Sequence, residues 1–211
     1  MKFPFWGRKQ SVAALFLLFC LLTFFADSAL AHHPFGMGNN SSELSIWQAL
    51  LSGVGHPLLG PDHLLFMLGI GFVGLKRTKN WVIPLLSVGL AGSALVQFLP
   101  LPDVLAPWAE AIVSLSLAIE GLIILNFLNS KWLLPMFALH GYLLGSTIVG
   151  AEPTPLIGYF LGLLLAQGSF LVLVTTASQK VINRFDINSR NLLAGIWIGI
   201  GLAFSWVVLV P

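Results

Sequence analysis

Cysteine is almost missing from this chain of 211 residues, which has one, Cys20. Charge is scarce as well. Asp, Glu, Lys and Arg make up 9% of the residues, against roughly a quarter in ordinary soluble domains. The ten Lys and Arg residues are scattered in small groups, and the formal net charge is only +2. With no basic stripe, a nucleic-acid partner is excluded. There is no G-x4-G-K-[ST] loop to cradle a nucleotide and no H-E-x-x-H helix to hold a hydrolytic zinc. What is abundant is apolar sequence, 57% of the chain, in runs that approach or exceed the ~20 residues that cross a bilayer as a helix. The composition predicts an all-α, polytopic membrane helix bundle.

The first segment is of a different kind. Lys2, Arg8 and Lys9 form a basic start, "SVAALFLLFCLLTFF" an apolar centre, and "ALA" at 29–31 a small-residue cleavage site. That is the pattern of a secretory signal peptide over 1–31. Cys20 lies inside its apolar centre behind bulky Phe19, a poor lipoprotein site. Cleavage after Ala31 leaves a mature chain without cysteine, which excludes thiolate metal sites and disulfides.

An exported segment, 32–57, follows the signal. In it "SSELSIWQALLSGVG" predicts a short amphipathic helix capped by Ser42, with Leu44, Trp47, Leu51 and Val54 along one side. Residues 58–211 are expected to hold six spans: 58–75, 81–99, 107–128, 132–150, 155–178 and 191–210. Lys76, Arg77 and Lys79 follow the first span, Lys131 the third, and Lys180, Arg184 and Arg190 the fifth. The loops after the second and fourth spans carry only Asp103 and Glu152. The positive-inside rule makes the basic loops cytoplasmic and puts both mature termini outside a bacterial-type inner membrane. Small residues four apart (Gly141 and Gly145, Gly158 and Gly162, Gly195 and Gly199) suit close helix packing in lipid.

The polar exceptions carry the functional reading. His56 and His63 flank Gly60-Pro61 at the start of the first span, with Asp62 beside them. Proline lacks an amide hydrogen and suits the first position of a helix, so Pro61 is read as starting the spanning helix, with His56 folding over that start. Two imidazoles and a carboxylate at such a break suit a divalent cation, with Asp62 binding it directly or orienting an imidazole. His140 stands within the fourth span beside Gly141. Glu120 lies deep in the third span, one turn after Ser116, and Glu110 near that span's outer end. Ionisable groups inside a span are costly and face a cavity or a partner, so Glu120 and Glu110 are read as relay carboxylates. Cleavage after Ala31 would expose His32-His33-Pro34. A free amine, the His33 amide nitrogen and the His33 imidazole then close adjacent chelate rings on a nitrogen-loving metal such as Cu(II) or Ni(II).

Taken together, "HHPFGM", "HPLLGPDHLLFMLGIG", "EAIVSLS" and "FALHG" resemble the HupE/UreJ family of hydrogenase and urease accessory membrane proteins. The resemblance covers essentially the whole chain. It implies permeation of nickel, sometimes cobalt, into the cell for metalloenzyme assembly, and an indirect link to hydrogenase or urease maturation. The spacing His56-x5-Asp62-His63 is also similar to the histidine–aspartate motif of nickel/cobalt transporters, which is one residue shorter. The second-residue histidine of energy-coupled cobalt transporters is a further likeness, to His32-His33.

The leading expectation is therefore a secondary permease for nickel or cobalt, not an enzyme, with the metal as cargo and no prosthetic group. His32, His33, His56, Asp62, His63 and His140 are the expected metal residues. Two other readings stand beside it: an intramembrane zinc-dependent hydrolase with Glu120 as base, and a metal-loading accessory protein that binds but does not transport.

Overall fold

A computed structural model of the chain describes residues 44–75 and 79–210. The expected signal peptide, His32 and His33 lie outside the described residues, as do Lys76 and Arg77. No strand occurs among the described residues. Seven α-helices are present among the described residues: α1 Ile46–Leu59, α2 Pro61–Phe72, α3 Lys79–Phe98, α4 Ala106–Ile124, α5 Leu133–Ser146, α6 Pro153–Ile182 and α7 Ile187–Leu209. In lipid every backbone N–H and C=O needs an internal partner, and a helix supplies one within the segment. Local chemistry sets the ends. Ser45 and Gln48 form a capping box on α1, Pro153 opens α6, and Asp186 accepts from the Ser189 amide at the start of α7.

Among the described residues four helical segments are long and apolar enough to cross a membrane: Asn80–Phe98, Asp103–Ile124, Pro153–Ile182 and Ile187–Leu209. The chain is an integral membrane protein of the helical-bundle type. The expected first and fourth spans take another form. The longest helix in the fourth is the 14-residue α5. The first is divided at Gly60 into α1 and α2, of 14 and 12 residues. At 1.5 Å per residue these two are about 21 and 18 Å long, each short of a ~30 Å hydrocarbon core.

Yet α1 and α2 lie end to end along α6, running in the same direction. Ile46 and Leu50 of α1 meet Gly158 and Gly162, and Gly53 meets Tyr159 and Leu163. Gly71 of α2 then meets Val174, and Gly74 meets Gln179 and Ile182. The break at Gly60 thus falls beside the middle of α6, rather than at the outer mouth of a span where the sequence suggested it.

Three helix pairs pack at close range: α1 with α6, α3 with α5, and α4 with α7. Where Gly141 meets Gly89, and Gly162 meets Gly53, a single added Cβ would collide with the facing backbone. Gly145 and Gly158 are used in the same way, but Gly195 and Gly199 have nothing within 4 Å, so among the described residues that pair seats no helix. The short α2 lies among the pairs, against α1, α4 and α6.

The expected amphipathic helix is present with two corrections. Ser45, not Ser42, caps it. Its buried face is Ala49, Ser52, Gly53 and His56, while Trp47 and Leu51 point outward, 71% and 55% exposed. The helix has its small residues inward and its large apolar ones toward lipid.

The directions of packing sort the charges. Gly74 lies by Ile182, and Gly69 by Glu120, so the carboxyl ends of α2, α4 and α6 share one end of the bundle. Lys131, Lys180, Arg184 and Arg190 fall at that end, and Asp103 and Glu152 at the opposite one.

Candidate functional site

The site begins with two prolines and a glycine at the break between α1 and α2. Gly60, with φ −70° and ψ 113°, ends α1 and caps α2, and Pro61 takes the first position of α2. Pro57 and Pro61 have no N–H to offer the carbonyls of Gly53 and Pro57, four residues earlier. The carboxyl end of α1, the negative end of its dipole, faces the break. His56 occupies its last turn and His63 the first turn of α2.

Both histidines are buried, as is His140 on α5. His56 and His63 stand edge to face with ring centroids 5.8 Å apart. His63 and His140 are closer, at 4.8 Å, and their Nδ1 atoms lie 2.6 Å apart. His140 Nε2 is 2.7 Å from Ser116 Oγ on α4, which also contacts the Val113 carbonyl at 2.6 Å. Phe66, one turn beyond His63, stacks on the His140 ring at 4.1 Å. Toward the amino end of α6, His56 Nδ1 is 3.2 Å from Tyr159 Oη and 3.5 Å from Thr147 Oγ1. Tyr159 donates to the Leu144 carbonyl at 2.5 Å, and Thr147 donates to the same carbonyl at 2.9 Å. The expected folding of His56 over the start at Pro61 is what the break produces, and it draws His140 in from 77 residues away.

Asp62 stands in the first turn of α2, half-buried. A Cβ built on Gly60 would lie 3.5 Å from its Oδ1 and 3.0 Å from His63 Cδ2, so the carboxylate and that edge of the ring both lie over Gly60. Among the described residues no group of three or more His, Cys, Asp or Glu side chains is already arranged around a metal position. Two nitrogens on one metal, with bonds of ~2.0–2.1 Å, lie about 2.9–3.4 Å apart. The His63–His140 contact is shorter than that, a direct hydrogen bond.

Glu120 is fully buried one turn along α4 from Ser116, or ~6 Å of helix rise. Its Oε2 accepts from Trp197 Nε1 at 3.1 Å, and its Oε1 has no hydrogen-bond partner among the described residues. Gly69 makes the room, since an added Cβ would collide with the carboxylate and with the Trp197 indole. Beyond it α6 ties down the end of α2. Ser178 Oγ accepts from the Gly74 and Leu75 amides at 3.0 Å each, and Gln179 donates to the Gly74 carbonyl. Glu110 is not gathered in. It lies on α4 ten residues before Glu120, about 15 Å along the axis.

His56, Asp62, His63 and His140 therefore meet at the break, and Glu120 lies one level deeper. Tyr159, Thr147, Trp197 and Gly69 were not singled out from the sequence. Tyr159 carried a faint signal as one of only two tyrosines.

The profile of the family described as HupE / UreJ protein matches residues 20–204. No curated protein and no solved structure matches the chain. A match over that length settles the relationship: the chain belongs to the HupE/UreJ family, whose members are metal-uptake and accessory membrane proteins rather than enzymes.

Proposed function

We propose that this protein is a secondary permease that carries a divalent transition metal, nickel or cobalt, into the cell for metalloenzyme assembly. The observation that carries the proposal is a line of buried polar groups running from the end of α1 along α2. His56, with Tyr159 and Thr147, comes first, then His63 with His140 and Ser116, then Glu120 with Trp197. Burying such groups in a membrane helix bundle is costly, and a row of them, one level after another, is the form a cation path takes.

In this reading the ion is captured outside by the amine, amide and imidazole nitrogens of a mature terminus beginning His32-His33. It passes to His56 and His63 at the break, where Asp62 and the carbonyls of α1 add negative potential and His140 adjoins. Glu120 then receives it or exchanges a proton against it. The basic end of the bundle is the cytoplasmic end, by the positive-inside rule. With no nucleotide-binding loop in the chain, the driving force is an ion gradient or the membrane potential. A potential negative inside favours a dication by about 4.6 kcal/mol per 100 mV, twice the value for a single charge.

The test is the metal content of cells expressing the chain under limiting nickel, with cobalt, zinc and copper as competitors. Nickel content should rise with expression and fall back on cobalt competition. Unchanged nickel and cobalt content in cells with inserted protein would contradict the proposal.

A further inference from the structure

A buried hydroxyl on a membrane helix has an acceptor at hand, the carbonyl three or four residues back. This chain uses it repeatedly. Ser93 donates to the Gly89 carbonyl, Ser116 to that of Val113, Thr175 to that of Leu171 and Ser205 to that of Gly201. Ser52 on α1 does not. It is fully buried, and its Oγ has no hydrogen-bond partner among the described residues. A buried hydroxyl left in that state is a standing cost to the fold.

Its place is specific. The buried residues of α1 are Ala49, Ser52, Gly53, His56 and Pro57, so Ser52 is the first polar side chain among them from the amino end. His56 follows one turn later, ~6 Å of helix rise away. Ala49, a turn earlier, clusters with Leu144, Ile148, Tyr159 and Leu163. The hydroxyl thus stands between an apolar cluster and the histidine level.

Helix packing singles out the same position independently. Gly53 of α1 lies against the Tyr159 carbonyl of α6, as Gly141 of α5 lies against the Gly89 carbonyl of α3. Gly162 of α6 lies against the Leu50 carbonyl of α1, as Gly92 of α3 lies against the Ala138 carbonyl of α5. One register therefore holds along each helix. Leu50 and Gly53 correspond to Ala138 and Gly141, and Tyr159 and Gly162 to Gly89 and Gly92. Five residues beyond Gly92 and Gly162 the same residue stands in both helices, Gln97 and Gln167. The pair α1–α6 is repeated as α5–α3, with α5 starting from the basic end toward which α1 runs. That is the relation of inverted repeats, whose interface holds the substrate site in many membrane carriers. In this register Ser52 takes the place of His140, which joins the histidine level from α5.

We infer that Ser52 is a contact of the incoming hydrated cation, one turn ahead of His56, and the counterpart on α1 of His140 on α5. The inference rests on the proposed permease function. A hydroxyl suits that step. It can accept a hydrogen bond from a metal-bound water, and it holds nickel or cobalt more weakly than an imidazole does, so the ion moves on to His56.

The experiment is nickel influx into liposomes holding the full chain with Ser52→Ala, beside its thermal unfolding. The nickel concentration for half-maximal influx should rise roughly 3–10-fold, the weight of one net hydrogen bond. Unfolding should be unchanged or shifted upward, since no bond within the protein is lost. Unaltered influx, or a destabilised protein, would overturn the inference and leave Ser52 a packing residue. Accessibility supplies a second arm. In a chain with Cys20→Ser, Ser52→Cys should react with a small cationic methanethiosulfonate added outside, and influx should stop on labelling. An unreactive Ser52→Cys beside a reactive Ser45→Cys, at the exposed cap of α1, would also overturn it. If Ser52→Cys is labelled but the wild type moves neither nickel nor cobalt, the water-accessible position stands and the proposed function falls.

Discussion

Two levels of the bundle, ~6 Å apart along α4, are equally buried and differently finished. At the histidine level His56 Nδ1, His63 Nδ1 and both nitrogens of His140 meet hydroxyls or one another, and the hydroxyls end on carbonyls. At the carboxylate level Glu120 has, among the described residues, a partner for one oxygen only. An unsatisfied buried acceptor typically costs 1–3 kcal/mol, so such groups are uncommon in a bundle that serves only to pack. The contrast separates two tasks: the first level is arranged to hold a geometry, and the second keeps an acceptor ready for a cation or a proton.

The strongest way to break this comparison is to remove the first level. His56→Ala and His63→Ala should each abolish uptake while leaving the protein folded and inserted, as read by metal influx beside expression and detergent-extracted size. Wild-type influx in either would remove the histidine level from the route. Next is Glu120→Gln, which keeps shape and hydrogen bonding but cannot ionise. It should reduce transport at least tenfold while cobalt affinity changes only a few-fold. Loss of affinity with an intact fold would make Glu120 a ligand and merge the two levels. Asp62→Asn should weaken binding roughly 10–100-fold if the carboxylate orients an imidazole, measured by titration calorimetry. Gly69→Ala probes the second level by volume. Its methyl claims the space of the Glu120 carboxylate and should cost about 1–3 kcal/mol of stability in denaturant titrations, sparing cobalt binding at the break. The smallest expected effect is His32→Ala, near wild type, because alanine still supplies a free amine. His33→Ala, which removes the chelating imidazole, should be clearly worse, and equal defects would reject the terminal chelate.

Much of this site was legible because proline chemistry is local. Pro61 starts α2, Gly60 caps it, and the histidines fall on either side, as the motif predicts. The cap was misread as Ser42, although among three nearby serines only Ser45 has a glutamine three residues on, Gln48. The inward face of α1 was not legible. The rule that large apolar residues point inward belongs to water; between lipid and helix it reverses, and Ala49, Ser52 and Gly53 take the interface. Misreading that face made α1 a surface helix and put the histidines at a mouth. Once α1 is packed along α6 they lie near mid-bundle. The contacts of His140 with His63, of Trp197 with Glu120 and of Tyr159 with His56 join residues 77, 77 and 103 apart, and no local pattern in one sequence announces them.

The most direct measurement is nickel influx into liposomes that contain only this protein, under a potassium diffusion potential set negative inside. The account predicts saturable influx that cobalt competes for, that the potential accelerates, and that Glu120→Gln and His63→Ala lose. Binding of nickel at the outer face with no accumulation inside, in the wild type under the same potential, would contradict it and leave a metal-holding protein in place of a permease.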